Sequence, residues 1–86
     1  MASYRIKIER RAFKALATIA RRFRTRIRKA IEGLSEEPWP PGVRKLTDEE
    51  RLYRIRLGDY RVVYQIQDED LLVLIVKIGH RKEIYR

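Results

Sequence analysis

Cysteine is absent from this chain, which excludes a disulfide framework and any thiolate metal site and leaves the redox compartment unread. Histidine occurs once, as His80. The loop acids Asp48-Glu49-Glu50 and Asp68-Glu69-Asp70 lack metal-ligand spacing, so neither a metal nor any other cofactor is expected. Glycine is scarce, and its four copies form no phosphate-cradling loop. Ser3 and Ser35 fall at a strand start and a helix end without a partner base, which argues against serine catalysis. The longest apolar run, Leu71 to Val76, is too short to span a bilayer. The first residues, Met1 to Ile8, alternate apolar and basic side chains instead of forming the continuous apolar stretch of a leader. The expectation is a cytoplasmic protein with no membrane association.

Acidic charge is also in short supply. Twelve Asp and Glu face 21 Lys and Arg, for a net charge of +9 over 86 residues. Before Glu32 the only acid is Glu9, while Arg5, Lys7, Arg10, Arg11, Lys14, Arg21, Arg22, Arg24, Arg26, Arg28 and Lys29 crowd the same stretch. Such an imbalance favours a polyanionic partner over a merely solvated surface. The length allows one domain, residues 1–86, with one modest core.

Tyr4, Ile6 and Ile8 alternate with Arg5 and Lys7, which predicts a strand. Phe13, Leu16, Ala17 and Ala20 then recur at helical spacing, behind a Glu9 suited to a helix N-terminus. The pattern breaks around Arg22 to Thr25. It resumes with Ile27, Ala30, Ile31 and Leu34 and stops at Pro38-Trp39-Pro40-Pro41-Gly42. Two short antiparallel helices are expected. Trp39 is open to two readings: stacking on a base, or pinning its loop against the helices.

Val43 to Leu46 suggests a short strand. Leu52 to Leu57, Tyr60 to Ile66 and Leu71 to Ile78 read as further strands, separated by Gly58-Asp59 and by Gln67 to Asp70. The last of these is nearly continuous in apolar residues, as a central strand covered on both faces would be. A final short strand is placed at Ile84-Tyr85. The expected fold is α+β: an N-terminal strand, two antiparallel helices, then an antiparallel sheet with the helices packed on one face.

If Gly58-Asp59 is a two-residue turn, Leu57 pairs with Tyr60, Arg56 with Arg61, Ile55 with Val62, Arg54 with Val63 and Tyr53 with Tyr64. Tyr53, Ile55, Leu57, Tyr60, Val62 and Tyr64 then share the helix-facing side. Arg54, Arg56 and Arg61 share the other, with Arg56 directly opposite Arg61. Like charges facing each other on a sheet are destabilising, and an anion between them relieves this. The guanidinium fork matches phosphate. The alternatives are arginines splayed into solvent, or one paired with an acid such as Glu83.

The remaining chemistry is general acid–base work with Arg, Tyr and His together with charge stabilisation. That suffices for metal-free RNA cleavage: the 2′-OH attacks the adjacent phosphate, a base takes its proton, cations hold the developing charge and an acid protonates the leaving 5′-oxygen. His80 has a suitable ordinary pKa, against its plainer role as a surface hydrogen-bonding residue. Tyr85 needs nearby cations to act as a base, against its plainer role as a packing aromatic.

The stretch Leu52-Tyr53-Arg54-Ile55-Arg56-Leu57-Gly58-Asp59-Tyr60-Arg61-Val62-Val63-Tyr64, with Ile78-Gly79-His80-Arg81-Lys82-Glu83-Ile84-Tyr85, resembles the C-terminal half of RelE-superfamily toxins. The strand and two basic helices before it match that plan, so the resemblance covers essentially the whole chain. It implies the toxin of a type II toxin–antitoxin system, a ribosome-dependent endoribonuclease that cleaves mRNA in the A site and is neutralised by a cognate acidic antitoxin. It implies Arg61 stabilising the transition-state phosphate, Arg81 binding phosphate and assisting the leaving group, and Tyr85 as base. Arg54, Arg56, His80 and Lys82 are the expected RNA- and phosphate-binding set. Arg54 and Arg56 stand where well-studied ribosome-dependent members carry lysines. Arginine effectively cannot lose its proton, so the base falls to Tyr85 or His80. The chain ends at Arg86, and the expectation is a site without a helical C-terminal cover. The alternatives are a ParE-like inhibitor of DNA gyrase, since the superfamily holds such toxins, and a non-catalytic basic RNA- or ribosome-binding module.

Overall fold

The computed structural model describes residues 3–80. The elements run β1 (Arg5–Ile8), α1 (Arg10–Ala17), α2 (Arg21–Gly33), β2 (Arg44–Thr47), β3 (Leu52–Leu57), β4 (Tyr60–Gln67), one 3₁₀ turn (Asp68–Asp70) and β5 (Leu72–His80). The sheet order is β1-β5-β4-β3-β2. This is the expected α+β arrangement with two helices on one face. Within it, β1 lies parallel to β5, while β2 to β5 pair antiparallel. Arg81, Lys82, Tyr85 and the expected strand at Ile84-Tyr85 lie outside the described residues.

The helix boundary falls earlier than the sequence pattern suggests. Helix α1 closes at Thr18, whose hydroxyl donates to the Ala15 carbonyl at 2.7 Å. Ala20 is extended (φ −54°, ψ 142°), and its carbonyl accepts from the amides of Phe23 and Arg24. Arg22 to Thr25 are therefore helical. Phe23 is half-buried and meets the Tyr60 ring at 5.4 Å, while the arginines beside it, good helix formers, mask the apolar period.

The buried positions are Ala12 and Leu16 of α1 and Ile19 just past its end; of the expected Phe13, Leu16, Ala17 and Ala20 only Leu16 is buried, and Phe13 is 62% exposed. Ala12, with no exposed surface, presents only a methyl group between helix and sheet, so the helix rotates its small residue inward. Helix α2 buries Ile27 and Ile31, and Leu34 follows just past its end. These pack on Ile55, Val62, Tyr64, Ile66, Val73, Ile75 and Ile78 of β3 to β5 in one cluster. Among the described residues no helix is long and apolar enough to cross a membrane.

The β3–β4 hairpin has the register expected from its two-residue turn, from Leu57 opposite Tyr60 to Tyr53 opposite Tyr64. Gly58 takes φ +63° while Asp59 does not turn positive, the pattern of a type II′ turn, which needs glycine first. Strand β5 is less completely covered than its apolar run suggests. Val73, Ile75 and Ile78 are buried, but Leu72, Leu74 and Val76 are only half-buried, because both helices lie on the opposite face.

Trp39 stands edge-on to Tyr4 and Tyr53, with centroids 6.2 and 6.4 Å away, and so pins its loop against sheet residues more than against the helices. Beneath it the buried Tyr64 hydroxyl donates to the Pro38 carbonyl at 2.7 Å. Tyr64→Phe leaves that carbonyl without its donor and is expected to cost about 1–3 kcal/mol, read by urea denaturation. Burial, and then the neighbouring Tyr53, raises the Tyr64 pKa above the ordinary phenol range. The folded state thus holds this proton to higher pH than the unfolded chain. Its contribution is complete below about pH 10 and is lost as pH rises further. Tyr64→Phe is expected to flatten that alkaline loss; an identical alkaline profile in the variant would refute the assignment.

Candidate nucleic-acid interface

None of the five strands contains an acidic residue; the acids of the described chain sit in loops and near helix ends. Alternation along the strands sends apolar side chains toward the helices and cations to the other face. Arg54, Arg56 and Arg61 share that helix-free face as expected, with Arg56 directly opposite Arg61 and Arg54 opposite Val63. Arg5 and Lys7 join it from β1 and are exposed.

Two of the three hairpin arginines do not splay into solvent. Arg54 is 6% and Arg61 5% exposed, whereas Arg56 is open. Burial holds the Arg54 guanidinium below its usual pKa, reinforced by the charges of Arg61, Arg44 and Arg56. Such a cluster costs folding free energy unless an anion is present to spread the charge over.

Two members of this face escaped the sequence reading. Arg44 lies directly opposite Arg54 across the β2–β3 pair. It was hidden because β2 is short, carries a register shift between Lys45 and Thr47, and sits in a segment that reads mostly as loop. Lys77 lies opposite Val63 across β4–β5. Counting alternation from Val73 and Ile75 puts Lys77 on the helix side. A register shift leaves Tyr64 opposite Ile75 and Val63 opposite Lys77, so the bulge at Val76 turns Lys77 to the arginine face. The burial of Ile78 beside Val62 in the core fixes the same parity.

The structure does not bring His80 to the arginines. His80 pairs with Tyr60, a helix-side residue, and its ring stands edge-on to the Tyr60 ring at 5.8 Å. It borders a small cavity with Ala15, Thr18 and Ile19 of the α1 end. Gly79 is the β5 residue opposite Arg61, so no side chain rises there beside the guanidinium. Arg81, Lys82 and Tyr85, the other expected site residues, lie outside the described residues.

Chemically, the face offers permanent cations and fork-shaped donors, and its five strands carry no carboxylate side chain among the described residues. It can bind phosphates and hold charge that develops on a phosphate, but its arginines cannot take a proton.

A family model described as the ParE toxin of type II toxin–antitoxin systems matches residues 6–85. The structure resembles that of RelE in the archaeal RelE–RelB complex from Pyrococcus horikoshii OT3. The TM-score is 0.83 and the identity 36%, over 91% of this chain and 94% of that one. It also resembles the intact RelBE toxin–antitoxin complex of E. coli, with TM-score 0.78 and 28% identity over 90% of this chain and 95% of that one. In sequence it is 37% identical to toxin RelG of Mycobacterium tuberculosis over 57 residues, 66% of each protein. Fold, hairpin and matched length together make this chain a member of the ParE toxin family of type II toxin–antitoxin systems, of the RelE type.

Proposed function

We propose that this toxin is a metal-independent endoribonuclease that cleaves mRNA in the ribosomal A site and so inhibits translation. The observation that carries the reading is the cationic sheet face, where Arg54 and Arg61 are both buried and Arg56 opposes Arg61. RNA phosphate is the anion that guanidinium forks of this kind bind, and the 2′-OH supplies the nucleophile. Arg61 stabilises the charge on the attacked phosphate. Arg54 and Arg56 bind the backbone, while Arg81 and Lys82 add cations and Arg81 assists the leaving group. Tyr85 is the base, a role that requires cations near enough to lower a phenol's pKa. The placement of His80 beside Tyr60, away from the arginines, favours Tyr85 over His80 in this role.

The partner that restrains the toxin is a cognate acidic antitoxin that covers the basic surface and offsets much of the +9 charge. Complexes of relatives with their RelB antitoxins support this. The site of action is the cytoplasm, and the whole chain acts as a single domain.

The test is mRNA on programmed ribosomes, incubated with antitoxin-free protein and mapped by primer extension. Discrete cuts within the A-site codon, absent with Tyr85→Phe and Arg61→Ala, are the expected result. Intact mRNA from folded wild-type protein would overturn the nuclease reading. The family description as a ParE toxin then makes gyrase supercoiling the next measurement. Ribosome binding with strong salt dependence but neither cleavage nor growth inhibition would instead indicate a binding module.

A further inference from the structure

We propose that Arg44 and Lys77 are two additional phosphate-binding residues, which hold the RNA backbone on either side of the phosphate addressed by Arg61. The inference rests on the nuclease reading above and extends it from one phosphate to a run of several.

The register places Arg44, Arg54, Val63 and Lys77 in one row across β2, β3, β4 and β5. Neighbouring strands lie about 4.8 Å apart, so the two ends of this row are roughly 14 Å apart at the backbone. Side chains that stand over their own strands at this separation suit successive phosphates of one chain better than a single phosphate. Next to this row, Arg56, Arg61 and Gly79 form a second one. Gly79 contributes no side chain to this second row, so its only cations are Arg56 and Arg61. Val63, 7% exposed, gives the first row an apolar floor between Arg54 and Lys77.

Charge pairing elsewhere in the chain sharpens the contrast. Lys45, next to Arg44 but on the other face, is bound by Asp48 at 2.7 Å. Arg51 is bound by Asp68 at 3.1 Å. Among the described residues, neither Arg44 nor Lys77 lies in an ion pair. Arg44 is close enough to Arg54 for its charge to help depress the Arg54 pKa, after burial and the charge of Arg61.

The measurement is the salt dependence of binding to ribosomes programmed with a defined mRNA, at constant magnesium, alongside cleavage mapping by wild-type protein. Each single-strand phosphate contact contributes about 0.7 to the slope of log affinity against log salt concentration. Arg44→Gln and Lys77→Gln are each expected to make the slope shallower by about 0.7, and the double variant by about 1.4. Lys77→Arg should restore the wild-type slope. Lys29→Gln, an equal loss of charge on the exposed surface of α2, should leave it unchanged. Thermal melts of each variant confirm folding. Wild-type slopes in folded Arg44→Gln and Lys77→Gln, while wild-type protein still cuts and Arg61→Ala does not, would overturn this proposal alone. A shift as large in Lys29→Gln would reduce the effect to net charge and overturn it too. Failure of wild-type protein to cut would overturn the nuclease reading and this extension together.

Discussion

Arg61→Ala is expected to slow A-site cleavage by about 10²–10³-fold, the usual loss when a preorganised donor to a developing oxyanion is removed. Arg61 is 5% exposed, so its charge acts with little solvent screening. It stands opposite Arg56 on one strand and Gly79 on the other, with a like charge on one side and no side chain on the other. Arg61→Lys keeps the charge but loses the fork, and should recover only part of the rate. The loss should not come from unfolding. Removing one of two opposed like charges relieves repulsion, so the melting temperature of Arg61→Ala should not fall in proportion to its activity. Single-turnover cleavage on programmed ribosomes, paired with a thermal melt, separates the two effects. A folded Arg61→Ala that cuts at the wild-type rate would remove Arg61 from the mechanism.

Ile75→Ala is expected to cost about 2–5 kcal/mol, the largest stability effect of any single substitution considered for this chain. Ile75 has no exposed surface and sits opposite Tyr64, in the strand that joins β1 to the rest of the sheet. Its loss leaves a cavity beneath α1, lined by neighbours already held in place by the sheet. Small domains have about 5–15 kcal/mol in total, so the variant should be partly unfolded at physiological temperature. The check is a urea or thermal unfolding curve on the isolated protein. A cost below about 1 kcal/mol would mean that α1 collapses onto the strand and fills the space.

How much of this was legible in the sequence differs from element to element. The β3–β4 hairpin was legible to the residue. Its register depends only on a two-residue turn at Gly58-Asp59 and on strict alternation either side of it. The convergence of Arg54, Arg56 and Arg61 followed directly. Helix α2 was legible in its stripe of Ile27, Ile31 and Leu34, though not in its start, because arginine side chains disguise a helical first turn as a break. Helix α1 was misread in phase: Phe13 is the larger apolar residue, but Ala12 is the one the packing against the sheet accepts.

Sequence alone determined what local rules govern: the element types, the tight turn, the charge imbalance and the separation of arginines from the apolar face. These depend on residues a few positions apart, where periodicity and turn chemistry act directly. Tertiary structure alone decided the rest. It placed β1 parallel to β5, a pairing between residues far apart in the chain. It buried Arg54 and Arg61, sent His80 to the helix side, and through one bulge near Val76 moved Lys77 to the arginine face. The reason is physical: strand alternation has a period of two, so a single inserted residue reverses every side chain beyond it, and only the pairing of the finished sheet determines where that residue goes.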